Sequence, residues 1–293
     1  MRPRDTRLVH KAVIVVGAGT GIGAATVERL CREGARVCVA DINVAEAQAV
    51  ATRMTEAGYA AFAVAVDITD EASVHDAFGV ATERLGRLDG AHINAADLRT
   101  IFADSDARPV DLAIFDRTIA VNLRGHLLCT RAALPHLLAS GGGAIVYTSS
   151  SASDAGEPER PSYAMSKSGL NALMRHVASR WGKEAITANA VAPGFVMTPE
   201  MIAGGQVPAE WIEQCLVQTR STRLGKAEDI AGMVATADCE ERRITAAKTT
   251  IFGSGCTSWY LDLTGVPASW PWCYDTFVEA MQAPKLEDYA LVK

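Results

Sequence analysis

Residues 12–23, AVIVVGAGTGIG, decide the fold of this chain. The first five residues are apolar and mostly β-branched, which is typical of a strand buried on both faces of a parallel sheet. Glycines follow at positions 17, 19, 21 and 23, and a helix is predicted over about residues 24–33. Strand, glycine turn and helix in this order predict a phosphate-binding loop, because glycine lets the backbone approach a pyrophosphate and the helix N-terminus supplies N–H groups. A tight turn that merely needs positive φ is the alternative.

Strands and helices then alternate along most of the chain. The apolar runs predict strands over residues 12–16, 36–40, 60–66, 89–93, 143–148 and 186–191, and helices over about 24–33, 43–57, 70–85, 111–138 and 162–181. This alternation predicts an α/β fold, a doubly wound parallel sheet of the Rossmann type. Residues 1–235 are predicted to form one domain.

Asp41 ends the second predicted strand, about 20 residues past the glycine turn. A carboxylate there can accept hydrogen bonds from the adenosine ribose hydroxyls and would repel a 2′-phosphate. Neither the glycine turn nor the sequence directly after Asp41 contains Arg or Lys. The pattern favours NAD(H) over NADP(H). Asp41 as the N-cap of the next helix is an alternative that is compatible with this role.

A second stretch with a chemical pattern runs from Gly143 to Lys167, GAIVYTSSSASDAGEPERPSYAMSK. It contains a run of hydroxyl side chains and then a predicted helix start with Tyr163 and Lys167. Residues four apart share a helix face, and an ammonium lowers the pKa of a neighbouring phenol from about 10. Tyr163 is therefore a candidate proton donor or acceptor near neutral pH, although such pairs also occur by chance.

Composition excludes several function classes. The chain has 293 residues and a net charge of −6, which argues against nucleic-acid and anionic-membrane partners. Its seven cysteines are scattered without metal-ligand spacing, so we expect reduced thiols, a cytoplasmic location and no metal site. The apolar run after the basic N-terminus is too short for a signal peptide or membrane span. His92, His126, His136 and His176 occur singly, and we expect structural roles for them.

Together these motifs resemble the short-chain dehydrogenase/reductase superfamily, in its single-domain branch, over about residues 10–235. Ile93-Asn94-Ala95-Ala96 stands where that family usually has Asn-Asn-Ala-Gly. The resemblance implies a catalytic tetrad of Asn122, Ser150, Tyr163 and Lys167, with Ser150 chosen among its neighbours by its distance of 13 residues from the tyrosine. It implies cofactor contacts from Tyr163 and Lys167 and from a further set: Gly17, Thr20, Gly21, Ile22, Gly23, Asp41, Ile42, Asp67, Ile68, Asn94, Pro193, Gly194, Val196 and Thr198.

The implied activity is hydride transfer between NAD(H) and a secondary alcohol or ketone. The resemblance assigns the substrate-oxygen contact to Ser150, proton transfer to Tyr163, and tuning of that tyrosine and ribose binding to Lys167. Asn122 would anchor a water that continues the relay. The partner is then a small molecule, and a homotetramer or homodimer is expected. The alternative is a catalytically impaired NAD-binding or scaffold protein.

The end of the chain departs from the family pattern. After Ala235 no apolar helix is completed and no Asp-Gly-Gly appears, so residues 236–293 are treated as an atypical C-terminal segment. It is either a specialised extension or the product of a frame change, and either would weaken the expected assembly. Residues 248–252 or 259–263 are candidates for the last strand. Substrate would be shaped by residues 97–109, residues 151–161, and the segment with Met201, Ile202 and Trp211.

Overall fold

A computed structural model describes residues 7–101, 103–156, 158–198, 201, 207, 209–218, 223–237, 247–252 and 259–260. The strands within this part are β1 Ala12–Val16, β2 Arg36–Asp41, β3 Ala61–Ala65, β4 Gly90–Ile93, β5 Gly143–Thr148, β6 Ile186–Pro193, β7 Val196–Met197, β8 Gly225–Lys226, β9 Ala247–Phe252 and β10 Trp259–Tyr260. The α-helices are α1 Gly21–Arg32, α2 Val44–Glu56, α3 Glu71–Leu85, α4 Leu112–Ile119, α5 His126–Ala139, α6 Pro161–Trp181, α7 Ala209–Gln218 and α8 Ala227–Ala237.

One sheet organises the domain, with the strand order β10-β9-β6-β5-β4-β1-β2-β3. All its neighbouring strands are parallel except β10, which runs antiparallel to β9. The order reverses at β1, which pairs with β2 on one side and with β4 on the other. The predicted doubly wound parallel sheet is confirmed. In such sheets, ligands bind beyond the carboxyl ends of the strands at this reversal.

The sheet is buried on both faces, as the apolar β1 run predicts. Ile14 and Val16 belong to a core cluster with residues of α3, α5 and α6, whereas Val13 and Val15 belong to a cluster with residues of α1 and α2. Each of these four side chains is at most 1% exposed. Burying one such side chain stabilises the fold by roughly 1.5–3 kcal/mol. The two cores hold the end of β1, and hence the glycine turn, in a fixed place.

Two helix predictions need correction. Helix α1 begins at Gly21 rather than near residue 24, because the last glycines of the turn already belong to its first turn. The single helix predicted over 111–138 is interrupted by a π-helical turn, Ala120–Gly125. Such wider turns occur often at functional sites, and this one contains Asn122.

The first candidate for the last strand is confirmed at the level of backbone pairing. Ala247–Phe252 pairs in parallel with β6, and Trp259–Tyr260 adds the antiparallel edge. Helix α8 continues two residues past Ala235, to Ala237. Residues 261–293 lie outside the described part of the chain, and the domain boundary at residue 235 stays a prediction.

Candidate active site

The glycine turn joins β1 to α1 with backbone in direct contact with backbone. Gly17 has φ +77°, and a Cβ atom on it would lie 2.5 Å from the Cα of Ala95. A Cβ on Gly23 would lie 1.9 Å from the carbonyl oxygen of Gly17. Side chains are therefore excluded at both positions, and the start of α1 packs directly against the end of β1.

The N-terminus of α1 is suited to an anion. Thr20 occupies the N-cap position but makes no side-chain capping hydrogen bond, and the first turn contains no acidic residue. Helix N-termini carry a partial positive charge and attract phosphate groups. Glycines that exclude side chains, together with this uncapped helix, fit the pyrophosphate of a dinucleotide. Ile22 lies partly buried in the first turn.

Asp41 connects the end of β2 to the glycine turn. Its Oδ2 accepts a hydrogen bond from the N–H of Gly19 at 2.8 Å, and its Oδ1 accepts one from Asn43 at 2.9 Å. Asn43 is the N-cap of α2, accepting from the N–H of Glu46, so the alternative role of Asp41 as that cap is wrong. The next residue, Ile42, is 67% exposed.

Asp67 and Ile68 follow β3 at the same edge of the sheet. The carboxylate of Asp67 accepts two hydrogen bonds from Thr69, side chain and backbone, and these lower its pKa. Ile68 is buried, and a Cβ on Gly125 would lie 2.7 Å from its side chain. The turn after β3 is thereby fixed against the π-helical turn that contains Asn122.

A chain of polar side chains links the ends of β1, β4 and β5. The Nδ2 of Asn94 donates to the carbonyl of Gly17, and the hydroxyl of Thr148 donates to the Oδ1 of Asn94, both at 2.9 Å. His92 Nε2 lies 2.9 Å from the same hydroxyl oxygen. Because that hydroxyl hydrogen points to Asn94, Nε2 of His92 carries the proton. Burial lowers the pKa of His92 to about 3, so its ring is neutral.

Lys167 contacts this chain of polar groups at Thr148. It is 1% exposed, and its Nζ donates to the carbonyl of Thr148 at 2.8 Å. The same Nζ is 5.7 Å from the centroid of the Tyr163 ring. Burial lowers the pKa of Lys167 to about 7. His126 is also buried and lies near Lys167. Burial, and to a smaller extent the charge of Lys167, lowers the pKa of His126 to about 3.

Ser150 lies two residues after the end of β5, at the N-cap of a short 3₁₀ turn, Ser151–Ser153. Its Oγ accepts from the N–H of Ala152 at 3.2 Å. The turn is fastened to α6, since Ser168 donates to the carbonyl of Ser153 at 2.8 Å and Asn171 donates to its hydroxyl at 3.0 Å. Ser150 is thus tied to the helix that carries Tyr163 and Lys167.

Asn122 is fully buried in the π-helical turn. Its Oδ1 accepts from the N–H of Asp97 at 2.9 Å, whereas its Nδ2 has no hydrogen-bond partner. Buried amide hydrogens are rarely left unpaired, so this group is available to a small polar molecule such as water. The Asn122 amide therefore contacts the loop after β4 at Asp97, a residue that sequence reasoning did not single out.

The segment after β6 lies at the same edge of the sheet. Pro193 ends β6 and leads through Gly194 into β7, where Val196 pairs with Gly225. Thr198 follows, and its Oγ1 accepts from the N–H of Met201 at 3.4 Å. Of the predicted substrate segment, Ile202 and the side chain of Trp211 lie outside the described residues.

Two residues of this edge were not singled out by sequence reasoning: Thr148 and Asp97. Thr148 belongs to the hydroxyl run beside Ser150, so its position was a usable signal. His92 was predicted to have a structural role, and its buried, neutral ring, hydrogen-bonded to Thr148, agrees with that prediction. Asp97 belongs to a loop whose path no periodicity predicts.

Comparison with known proteins settles the family. The family model for short chain dehydrogenases matches residues 11–204. This chain belongs to that family. A probable short-chain type dehydrogenase/reductase of Bradyrhizobium diazoefficiens is 39% identical over 235 residues, 78% of this chain and 81% of the relative. The cis-4-hydroxycyclohexanecarboxylate dehydrogenase of Sinomonas cyclohexanicum is 36% identical over 228 residues, 77% of this chain and 88% of the relative.

Solved structures agree. The crystal structure of levodione reductase is similar with a TM-score of 0.77 at 29% identity, covering 85% of this chain and 98% of that protein. The predicted resemblance and the Rossmann fold are confirmed, and this short-chain dehydrogenase is an oxidoreductase. None of the helices in the described ranges is both long and apolar enough to cross a membrane.

Proposed function

We propose that this short-chain dehydrogenase transfers hydride between NAD(H) and a secondary alcohol or ketone, with Tyr163 as the general acid or base. The observation that carries the proposal is the burial of Lys167 at the carboxyl end of β5, with its Nζ 5.7 Å from the Tyr163 ring. Burying a lysine is costly and is common where its chemistry is used. Its Nζ donates to the neutral carbonyl of Thr148, so this contact is not an ion pair that would account for the burial.

The nicotinamide of a bound dinucleotide would supply the hydride chemistry. The pyrophosphate would lie at the N-terminus of α1, held by the residues of the glycine turn: Gly17, Thr20, Gly21, Ile22 and Gly23. The residues proposed for the adenosine half are Asp41, Ile42, Asp67 and Ile68, and those proposed near the nicotinamide half are Asn94, Pro193, Gly194, Val196 and Thr198, with Tyr163 and Lys167. The carboxylate of Asp41 supports NAD(H), because a 2′-phosphate beside it would be repelled.

The tetrad would bind the substrate oxygen and transfer the proton. Ser150 would hydrogen-bond the substrate oxygen, and Tyr163 would take the hydroxyl proton during oxidation or return it during reduction. The charge of Lys167 favours the anionic form of the tyrosine. Asn122 would hold a water through its unpaired Nδ2, which lies buried next to the loop after β4.

The proposed substrate class is a cyclic secondary alcohol or the corresponding ketone. One relative, the dehydrogenase of Sinomonas cyclohexanicum, is named for an alcohol with its hydroxyl on a cyclohexane ring, and a second relative, of Leifsonia aquatica, is a levodione reductase at 32% identity. As the sequence predicts, the substrate pocket would be shaped by three segments: residues 97–109, residues 151–161 and the segment after Thr198.

Turnover by the wild-type chain and a Tyr163→Phe variant tests this proposal. We expect NADH formation from NAD⁺ with at least one alcohol of a panel that includes cis-4-hydroxycyclohexanecarboxylate. Tyr163→Phe should lose turnover by a factor of about 10² or more while NADH affinity, followed by fluorescence titration, changes little. Tyr59 is partly buried and packs against the core cluster that contains Val13 and Val15. Tyr59→Phe is therefore the matched control and should turn over like wild type.

Two outcomes would contradict the proposal. Normal turnover by Tyr163→Phe would remove the assigned acid and base. NADH binding without turnover of any alcohol or ketone would favour the alternative, an impaired NAD-binding or scaffold protein.

We also propose a homotetramer or homodimer in the cytoplasm. Helix α5 exposes Leu127 by 44% and Leu138 by 40%, and apolar side chains of this size support burial against a second copy. The four described cysteines, Cys31, Cys38, Cys129 and Cys215, are free thiols, which suits a reducing compartment. Light scattering of the purified chain measures the assembly, and a monomeric mass would contradict it.

A further inference from the structure

The loop between β4 and α4 is connected at one end to Asn122. The backbone N–H of Asp97 donates to the Asn122 Oδ1 at 2.9 Å. The Asp97 carboxylate accepts from Arg99 at 2.9 Å and from Arg117 at 3.0 Å, and these bonds hold its pKa down at about 2. This end of the loop is therefore fixed by a backbone bond to the tetrad and by a charged pair of arginines.

The other end of the loop is connected to Tyr163. Asp104 is only 7% exposed, and its two carboxylate oxygens each have a partner on α6. Oδ1 accepts from the hydroxyl of Ser162 at 2.9 Å, and Oδ2 accepts from the backbone N–H of Tyr163 at 3.0 Å. Ser162 is fully buried, so these bonds are shielded from water.

Helix α6 has no cap of its own at this position. Arg160 occupies the N-cap with φ +64° and makes no side-chain capping bond, and a guanidinium has no acceptor atom. Pro161, the first helical residue, has no N–H. The N–H of Tyr163 is the kind of donor that an N-cap side chain normally accepts from. Asp104, 59 positions earlier in the sequence, takes that role.

The described residues between the two ends, 98–101 and 103, belong to a hydrogen-bonded frame. Thr100 donates to the carbonyl of Asp97 at 2.9 Å, and Asp104 N–H donates to the carbonyl of Thr100 at 2.9 Å. Thr118 of α4 donates to the Thr100 hydroxyl at 3.0 Å. The N–H of Arg160 donates to the carbonyl of Ser105 at 3.2 Å, which ties the loop to α6 a second time. These hydrogen bonds connect the end at Asp97 with the end at Asp104.

We propose that Asp104 is a positioning residue for Tyr163, and that the frame from Asp97 to Asp104 fixes the distance between Tyr163 and Asn122. The inference rests on the proposed function. The frame lies in the segment that the sequence predicts to shape the substrate pocket. One wall of that pocket and the position of Tyr163 would then belong to one rigid unit. Misplacing a reacting group by about 1 Å costs roughly 10²-fold in rate.

Steady-state kinetics on Asp104→Ala tests the role, with NAD⁺ and the fastest alcohol of the panel. We expect kcat to fall about 10²-fold, with NADH affinity within about twofold of wild type. Asp104→Asn keeps an oxygen for the Tyr163 N–H and gives Ser162 a donor, so it should restore kcat to within about threefold of wild type. Asp111→Ala, which removes the exposed N-cap of α4 from the same loop, is the control and should leave kcat within about twofold.

Hydrogen exchange gives a readout that does not need turnover. The amide of Tyr163 should exchange at least about tenfold faster in Asp104→Ala than in wild type, and no faster in Asp111→Ala. A purely structural role of Asp104 would lower the melting temperature and speed exchange of this amide, whose acceptor is Asp104, while leaving kcat unchanged.

The outcomes distinguish a failure of the proposed function from a failure of the inference about Asp104. A wild-type chain without activity on the whole panel is the failure of the proposed function, whereas an active wild type with an equally active, folded Asp104→Ala overturns only this inference. Asp104→Asn as impaired as Asp104→Ala would also overturn it, because the hydrogen-bond geometry is then not what matters. If Asp104→Ala does not fold, Ser162→Ala decides: a loss of about tenfold in kcat supports the inference, and a kcat within twofold overturns it.

Discussion

The two halves of the candidate site differ in the material from which they are built. The loop side, residues 17–23 with Asp41, is formed by backbone groups and by the absence of side chains. The proton side, made of Asn122, Ser150, Tyr163 and Lys167, is formed by polar side chains, and three of them are hydrogen-bonded to backbone groups of neighbouring segments. A Cβ on Gly23 would meet backbone at 1.9 Å, whereas the buried Lys167 depends on the carbonyl of Thr148 and lies close to the neutral His126.

The difference teaches which kind of change each half tolerates. Backbone packed against backbone cannot move aside, so the loop side should fail sterically and all at once. Buried polar groups instead depend on the charge and pairing of their neighbours, and an unpaired one costs about 1–3 kcal/mol. The proton side should therefore respond to pH and to isosteric changes that leave its shape intact.

Gly23→Ala should give the largest effect. The added methyl would overlap the carbonyl of Gly17; the strand cannot shift without disturbing both core clusters, and the helix cannot shift without disturbing the cluster that contains Val13 and Val15. We expect the free energy of unfolding to fall by about 3 kcal/mol, with loss of NADH binding, as measured by urea denaturation and fluorescence titration.

Gly79→Ala is the matched control for this steric contrast. Gly79 lies inside α3, and a Cβ on it would meet nothing within 4 Å. Alanine is the better helix former by up to about 1 kcal/mol, so this variant should be as stable as wild type or more stable. If both variants keep wild-type stability, the loop side is not the rigid unit described above.

The pH dependence of stability tests the proton side, using the chain without cofactor. The folded pKa of Lys167 is about 7, below its usual value near 10.4 in the unfolded chain. Between these two values the unfolded state binds more protons at this residue, so its contribution makes stability rise with pH. Below about pH 7 both states are protonated and the contribution is constant.

Lys167→Met removes this titration while keeping an unbranched apolar stem. We expect the unfolding free energy of wild type to gain about 2 kcal/mol relative to Lys167→Met between about pH 7 and pH 9. Urea denaturation of both proteins at several pH values measures the difference. Parallel pH curves would mean that Lys167 titrates normally in the folded protein.

Cofactor choice gives the smallest of the three effects. Asp41→Ser removes the carboxylate that would face a 2′-phosphate but leaves a hydroxyl near Gly19. The ratio of kcat/KM for NAD⁺ over NADP⁺ should fall by at least about tenfold, or roughly 1.4 kcal/mol. Asn43→Ser, which keeps a good α2 N-cap and changes no charge, should leave the ratio as in wild type. An unchanged ratio in Asp41→Ser would contradict the role of the carboxylate.

Prediction from sequence succeeded where the signal is local. Strands β1 and β5 were predicted with their observed bounds, because continuous apolar runs bounded by glycine or hydroxyl residues leave few alternatives. The start of α1 was misplaced because the glycines that mark a turn also occupy the first helical turn. The π-helical turn around Asn122 has no periodic signature, since its apolar residues follow the ordinary helical pattern.

The sequence by itself determined the parallel sheet, the glycine turn, the acid after β2 and the Tyr163–Lys167 pair, because each is set by residues within one strand or one turn of helix. Only the tertiary structure decided that Asn94 and Thr148 join the two halves of the site, and that Asp104 caps the helix of Tyr163 from 59 positions away. Those contacts arise between segments distant in sequence. Their partners are chosen by how the sheet edge brings loops together, and this is a property of the packed chain.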